Sequence, residues 1–121
     1  MTAEPEYLYL TTTGRRSGLP REIEIWFTRR DERYYLVAEH GEEARWVKNL
    51  RAQPAVRVRV GDVELPAQAR VVDGVVEPQL AADVRARSEA KYGWGDGLIV
   101  EISPDGAPGR SPTRAPARGR T

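Results

Sequence analysis

Three arginines stand close together in a short segment that also carries glycine, serine and threonine. Arg15, Arg16 and Arg21 belong to residues 10–21, LTTTGRRSGLPR. Arginine offers a planar fork of N–H donors that stays charged at any physiological pH. Backbone N–H groups near the glycines and the hydroxyl of Ser17 add donors for an anion with several oxygens, such as a phosphate. The segment predicts an anion-binding loop, and the alternative is a solvated hairpin loop with basic side chains.

A histidine, a tyrosine and an asparagine are further candidates for chemistry. His40 follows a predicted strand, where it could donate a proton or contact a ligand, or simply be solvated. Tyr92 could donate a proton or orient a carbonyl or nitro group, or pack against Trp94. Asn49 falls inside a predicted helix, where its amide competes with the backbone, so a specific hydrogen-bonding role would explain it. One histidine and no cysteine leave little for a metal site, and none is predicted.

The composition is that of one small folded domain. The chain has 121 residues, of which 40% are hydrophobic and 31% charged, as is ordinary for a soluble globular protein. The absence of cysteine excludes disulfides and thiolate chemistry. No apolar run approaches the roughly 20 residues that span a bilayer. The short acidic segment of residues 1–6 does not resemble a signal peptide, so a cytoplasmic location is expected.

The last part of the sequence differs from the rest. Residues 104–121 are rich in proline, glycine and alanine and contain four arginines and one aspartate. This composition predicts a disordered tail that follows a folded domain of residues 1–103. No aromatic residues accompany these arginines, so nucleic acid is not an expected partner, and weak phosphate contact by the tail is the alternative.

Residue periodicity predicts six strands and two helices. The strands cover residues 7–11, 22–28, 33–38, 55–60, 63–72 and 98–102. Helical spacing covers residues 43–53, before Pro54, and residues 78–92. Short connections favour antiparallel pairing, so the expected fold is α+β, mainly β, a six-stranded barrel with two covering helices. The proline at position 66 suggests a bulge or an edge strand.

Two motifs in register resemble those of the deazaflavin-dependent nitroreductase family. Residues 10–21 resemble the pattern TTxGR(K/R)(S/T)GxxR, and residues 46–58 resemble WxxNLxAxPxVxV. The resemblance implies a split β-barrel related to flavin-binding pyridoxamine-phosphate oxidases. It also implies an oxidoreductase that passes a hydride from reduced coenzyme F420 to a small electron-poor substrate, such as a quinone, enone or nitro compound. Split barrels of this kind often dimerise, so a homodimer is expected.

The resemblance also implies roles for particular residues. The residues expected to bind the phosphate and acidic tail of the cofactor are Arg15, Arg16, Ser17 and Arg21. Those expected to line the deazaflavin after the third strand are Val37, Ala38, Glu39 and His40. Those expected to close over the cofactor from the start of the first helix are Arg45, Trp46, Val47, Lys48 and Asn49. Tyr92 matches a substrate-side tyrosine, and either Tyr92 or water would protonate the product.

Two alternatives keep the same fold but assign either a different cofactor or no catalysis. One is a reductase that binds FMN, which would give the purified protein a yellow colour. The other is a non-enzymatic carrier of F420 or another small ligand, which would bind without turnover.

Overall fold

Strands of one antiparallel sheet make up most of the computed structural model, which describes residues 4–105. The described strands are β1 (Tyr7–Thr13), β2 (Pro20–Trp26), β3 (Thr28–Arg30), β4 (Arg33–Ala38), β5 (Ala55–Val60), β6 (Val63–Val72) and β7 (Leu98–Pro104). The helices are α1 (Arg45–Ala52) and α2 (Pro78–Tyr92), and a single 3-10 turn (Gly41–Glu43) precedes α1. Between residues 4 and 105, neither helix is long and apolar enough to cross a membrane.

The strand order shows how the sheet closes. It runs β2-β1-β5-β6-β7-β4-β3, and every neighbouring pair is antiparallel. β2 and β3 therefore occupy opposite edges, although Phe27 alone separates them in sequence. The sheet must curl until its two edges meet at Phe27. This arrangement confirms the expected mainly-β antiparallel barrel with two helices.

The predicted second strand, residues 22–28, is in fact two strands, so the described sheet has seven strands instead of six. β2 ends at Trp26 and β3 begins at Thr28. Between them, the N–H of Phe27 donates to the hydroxyl of Tyr92 at 3.0 Å and not to a neighbouring strand. Phe27 and Thr28 are both buried, so the alternation of burial ends at this break. The residue types of positions 22–28 are all compatible with one strand, so the sequence did not reveal it.

Side-chain alternation explains where the cores lie. β1 buries Leu8 and Leu10 inside the curled sheet, where α1 adds Val47 and Leu50. A second cluster lies between α2 and the other side of the sheet and comprises Tyr35, Val72, Leu80, Ala81, Val84 and Ile99. Each large apolar side chain buried in this way contributes about 1.5–3 kcal/mol. Strands β4 and β7 are covered on both faces, which explains their nearly continuous burial.

The element boundaries shift slightly from those predicted. α1 begins at Arg45 and not at residue 43, because residues 41–43 form the 3-10 turn. α2 starts with a proline and ends at Gly93, whose φ of 76° is the left-handed conformation that favours glycine at this position. β7 runs to Pro104, one residue past the predicted domain boundary. The remainder of the predicted tail, from residue 106 onward, lies outside the described residues.

Pro66 marks neither a bulge nor an edge. β6 is an internal strand, and its pairing with β5 continues without interruption past Pro66, which lies opposite Arg57. The carbonyl of Pro66 accepts the N–H of Asp105 at 2.9 Å, so the backbone of Pro66 faces the end of β7. The missing N–H therefore removes no hydrogen bond from the β5 pairing.

Candidate functional site

The arginine-bearing loop is closed by its own backbone. The N–H of Gly14 donates to the carbonyl of Leu19 at 2.8 Å, and the N–H of Gly18 donates to the carbonyl of Gly14 at 2.8 Å. The Ser17 hydroxyl oxygen accepts the N–H of Leu19 at 3.1 Å. A Cβ at Gly14 would stand 2.6 Å from that oxygen, so a larger residue there would have to displace the Ser17 hydroxyl. The hairpin between β1 and β2 thus has a defined shape.

Asn49 connects α1 to this loop. Its Oδ1 accepts the backbone N–H of Arg15 at 3.2 Å and the Nη1 of the same arginine at 3.4 Å. Its Nδ2 donates to the hydroxyl of Thr12 at 3.2 Å. The side chain is buried, so these partners replace the water that it loses. The specific hydrogen-bonding role expected for this asparagine is confirmed.

A cleft of about 810 Å³ opens between the loop, β2 and the start of α1. We call it the arginine cleft, because four guanidinium groups line it, those of Arg15, Arg16, Arg21 and Arg45. Within residues 4–105, none of the four forms a salt bridge. The cleft also contains one carboxylate, Glu22, whose partner is Arg59 at 3.6 Å. Its surplus of positive charge suits phosphates and carboxylates.

A second cleft, of about 520 Å³, has aromatic walls. All three tryptophans of the chain, Trp26, Trp46 and Trp94, line it, so we call it the tryptophan cleft. The predicted segment of residues 37–40 forms another part of the wall. Large flat side chains offer stacking surfaces for a planar ring.

The two clefts meet at Trp46, which lines both. On β2, Ile23 belongs to the arginine cleft and Ile25 to the tryptophan cleft. The two clefts are therefore adjacent along β2 and α1. Together we call them the groove, which is positively charged at one end and aromatic at the other. This groove fits an elongated ligand with a planar ring and an anionic extension.

The loop that follows α2 brings Trp94 to the groove. The Arg85 guanidinium donates to the carbonyls of Gly95 at 3.0 Å and Gly97 at 2.9 Å. A Cβ at Gly97 would stand 2.5 Å from the carbonyl oxygen of Ala38, so the loop approaches β4 as closely as its backbone permits. Trp94 is thereby held across from the wall that Ala38 forms.

Comparison with models of known protein families finds a match over most of the chain. The model of the family described as F420H(2)-dependent quinone reductase matches residues 1–96. The chain belongs to this family. Membership in this quinone reductase family confirms the predicted relationship to deazaflavin-dependent oxidoreductases and identifies F420 as the cofactor for which the family is named.

Two curated relatives come from Mycobacterium tuberculosis, the F420H(2)-dependent quinone reductases Rv1261c and MT1299. Each is 34% identical over 71 residues, which is 56% of this chain and 48% of the relative. The chain therefore spans about half the length of the curated relatives it matches.

Solved structures support the fold. One described as F420-H2 dependent reductase FDR-A is 26% identical, has a TM-score of 0.59, and matches over 85% of this chain and 97% of its own. The haem storage protein HutZ from Vibrio cholerae has a TM-score of 0.67 at 20% identity, over 83% of this chain and 82% of its own, and shows the fold alone. The split barrel implied by the sequence motifs is confirmed.

Most of the residues predicted to bind cofactor in this quinone reductase family member line the groove. In the arginine cleft these are Arg15, Arg16, Ser17, Arg21, Arg45, Trp46 and Asn49. In the tryptophan cleft they are Val37, Ala38, Glu39, His40 and, again, Trp46. Two do not reach either cleft, because Val47 is fully buried in the core and Lys48 pairs with Glu43 at 3.6 Å. On a helix, neighbours of Trp46 and Asn49 point in other directions.

Tyr92, the predicted catalytic residue, lies outside both clefts. Its hydroxyl accepts the N–H of Phe27 and lies 2.7 Å from the carbonyl oxygen of that residue. The same hydroxyl lies 2.6 Å from the carbonyl oxygen of Glu6. Its ring stacks on Trp26, with centroids 4.4 Å apart. The geometry therefore does not favour the role of proton donor, which stays a prediction.

Sequence reasoning missed six residues of the tryptophan cleft, namely Tyr7, Glu24, Ile25, Trp26, Ala44 and Trp94. Glu24 accepts the hydroxyl of Tyr9 at 2.6 Å, and this hydrogen bond, with the negative charge of Glu24, raises the pKa of Tyr9. Tyr7 and Trp26 are each about 40% accessible, which is unusual for large aromatic side chains and is the signal that marks them as wall residues. Burial cannot be read from sequence, so that signal required the structure.

Proposed function

We propose that this chain binds reduced coenzyme F420 in the joined groove and reduces a small electron-poor substrate, with quinones as the first candidates. The observation that supports this most strongly is the meeting of the arginine cleft and the tryptophan cleft at Trp46. The family match and the curated relatives support F420 as the cofactor and quinones as the substrate class. Enones and nitro compounds have similar electron demand and are further candidates.

The residues present fit this cofactor. Arg15, Arg16, Arg21 and Arg45 are not neutralised by carboxylates among the described residues, so they can receive the phosphate and acidic tail. The three tryptophans can receive the flat ring system. A ligand bound in this way has its anionic end at the charged end of the groove, so charge and shape favour the same orientation.

The chain contributes binding, orientation and exclusion of water. F420, when bound in its reduced form, supplies the hydride, and such cofactor chemistry requires mainly positioning by the protein. Asn49 holds the Arg15 backbone in place at one end of the groove. His40 lines the other end and is exposed, which makes it a candidate source, beside water, of the proton that the reduced product takes up.

Titration with F420 and with FMN tests the cofactor assignment. The fluorescence of each cofactor should be quenched on binding, and F420 should bind at micromolar concentration or below. Absence of F420 binding at micromolar concentration would contradict the proposal. A purified protein that is yellow with bound FMN would favour the FMN reductase.

Turnover distinguishes an enzyme from a carrier. Oxidation of reduced F420 should accelerate when menadione is added to the protein. F420 binding without turnover across a panel of quinones, enones and nitro compounds would instead favour a carrier.

We also propose that the chain is a cytoplasmic homodimer. A solved structure that is 25% identical, with a TM-score of 0.59, is described as a domain-swapped dimer. Tyr7 and Trp26 would be covered if a second copy packed against the open side of the tryptophan cleft. Light scattering on the purified protein should give twice the chain mass, and a monomer at every concentration would contradict a dimer. Cell fractionation tests the location.

A further inference from the structure

We propose that Tyr92 is a positioning residue that holds two aromatic walls of the tryptophan cleft, Trp26 and Tyr7, and takes no part in proton transfer. The kinetic part of the proposal rests on the proposed function, because it assumes that the substrate enters this cleft. The structural part does not depend on that function.

The ring of Tyr92 supports the first wall. Trp26 is the last residue of the edge strand β2, and 39% of its surface remains exposed. Its ring and that of Tyr92 are almost parallel, with an interplanar angle of 6° and centroids 4.4 Å apart. One face of Trp26 is therefore backed by Tyr92, and its side chain lines the tryptophan cleft.

The hydroxyl of Tyr92 supports the second wall through the backbone. It lies 2.6 Å from the carbonyl oxygen of Glu6 and 2.7 Å from that of Phe27. A phenol has one proton and donates to one acceptor at a time. Both acceptors are main-chain groups adjacent to wall residues, since Glu6 precedes Tyr7 and Phe27 follows Trp26. One side chain of α2 thus links the backbone beside both walls.

Lys91 reinforces the same link from the neighbouring position. Its Nζ donates to the carbonyls of Pro5 at 2.8 Å and Phe27 at 2.9 Å. It also pairs with Glu4 at 2.6 Å. The end of α2 therefore ties residues 4–6 to the crossover between β2 and β3.

The pocket that Tyr92 shares with Trp26 is too small for a substrate. Tyr92 and Trp26 line a gap of about 10 Å³, close to the volume that holds a single water. Trp26 also lines the 520 Å³ cleft, whereas Tyr92 does not. An effect of Tyr92 on a substrate in the 520 Å³ cleft is therefore expected to pass through a residue that lines the cleft, and Trp26 is the one on which Tyr92 stacks.

Fluorescence of Trp26 tests the structural part. Trp46→Phe and Trp94→Phe leave Trp26 as the single tryptophan. Adding Tyr92→Leu should lower the anisotropy of Trp26 and increase its quenching by acrylamide about twofold or more, because an unsupported indole moves more freely. Adding Tyr92→Phe should change both values much less than Tyr92→Leu does, since the stack remains and only the hydroxyl contacts with Glu6 and Phe27 are lost. Unchanged values in Tyr92→Leu would overturn the proposal, and no cofactor is needed for this result.

Kinetics with reduced F420 and menadione tests the absence of proton transfer. Tyr92→Phe, in the natural tryptophan background, should retain kcat within about twofold and the same pH profile. A loss of kcat of about 100-fold or more, the usual consequence of removing a general acid, would overturn the proposal.

Tyr92→Leu should mainly raise KM for menadione. If that variant does not fold, Trp26→Leu should reproduce the higher KM, and an unchanged KM there would also overturn it. Failure of the wild-type protein to turn over would contradict the proposed function and leave the fluorescence result valid.

Discussion

Asn49 of α1 accepts hydrogen bonds from both the backbone N–H and the guanidinium of Arg15, so the helix and the arginine-bearing loop are held as one unit. The two residues are 34 positions apart in the chain. The pair connects the two motifs by which the family was recognised. It also places one arginine of the groove without using a carboxylate, which leaves its positive charge available to a ligand.

Asn49→Ala is expected to destabilise the protein by about 1–3 kcal/mol, because it leaves the buried hydroxyl of Thr12 and the backbone N–H of Arg15 without their partner. F420 affinity should fall as well, since the loop loses its tie to α1. Urea unfolding and F420 titration measure the two effects. Arg51→Ala is the matched control, because Arg51 lies on the same helix but pairs with Glu42 at the surface. The loss of unfolding free energy in Arg51→Ala should stay at or below about 1 kcal/mol. Equal effects of the two variants would argue against a special role for Asn49.

Arg15→Ala combined with Arg16→Ala is expected to weaken F420 binding, and most of all for cofactor with a long acidic tail. Two positive charges leave a cleft that holds four arginines. The difference in F420 affinity between variant and wild type should shrink as salt is added, because mobile ions screen exposed charges. Arg57→Ala is the control, since Arg57 is already paired with Glu64 at 3.1 Å. Unchanged affinity in the double variant would remove these two arginines from the site.

Gly97→Ala is expected to destabilise the protein by about 1–3 kcal/mol, because the new methyl group would overlap the Ala38 carbonyl oxygen, 2.5 Å away. The loop must move to relieve this overlap, and Trp94 should move with it. That movement should change tryptophan emission and weaken binding in the tryptophan cleft. Thermal unfolding and emission spectra measure these effects. Gly61→Asn is the control, because that position has a φ of 58° and open space around it, and asparagine tolerates this conformation. A Gly97→Ala protein as stable as this control would contradict the close packing.

Asp83 is expected to make stability depend on acid pH. Hydrogen bonds from Arg87 at 2.8 Å and Arg30 at 2.6 Å hold the pKa of Asp83 below its ordinary value of 3.8. A carboxylate with a lowered folded-state pKa stabilises the protein above its unfolded-state pKa and loses that effect as the pH falls through the folded value. The stability difference between wild type and Asp83→Asn should therefore be constant near neutral pH and decline below about pH 4. Urea unfolding at several pH values measures it, and a difference that grows toward acid would contradict the assignment.

Much of the groove could be predicted because its residues lie in short motifs. The arginines of residues 15–21 and the tryptophan and asparagine of α1 belong to such motifs, and the alternation along the strands indicated a mainly-β sheet. These features depend on neighbours a few positions away, where residue type and spacing decide the conformation. A hydrogen-bonding role was indicated for Asn49 because its amide competes with the backbone inside a helix.

Other features required the tertiary structure because they arise from contacts between distant parts of the chain. The break at Phe27 exists where the sheet curls and its edges meet, and its backbone is then satisfied by Tyr92, 65 positions away. The convergence of Trp26, Trp46 and Trp94 depends on β2, α1 and the loop after α2 coming together. Local sequence thus determined which segments form strands, helices and the arginine-bearing loop. Closure of the sheet alone decided that Tyr92 lies behind the tryptophan cleft and not within it.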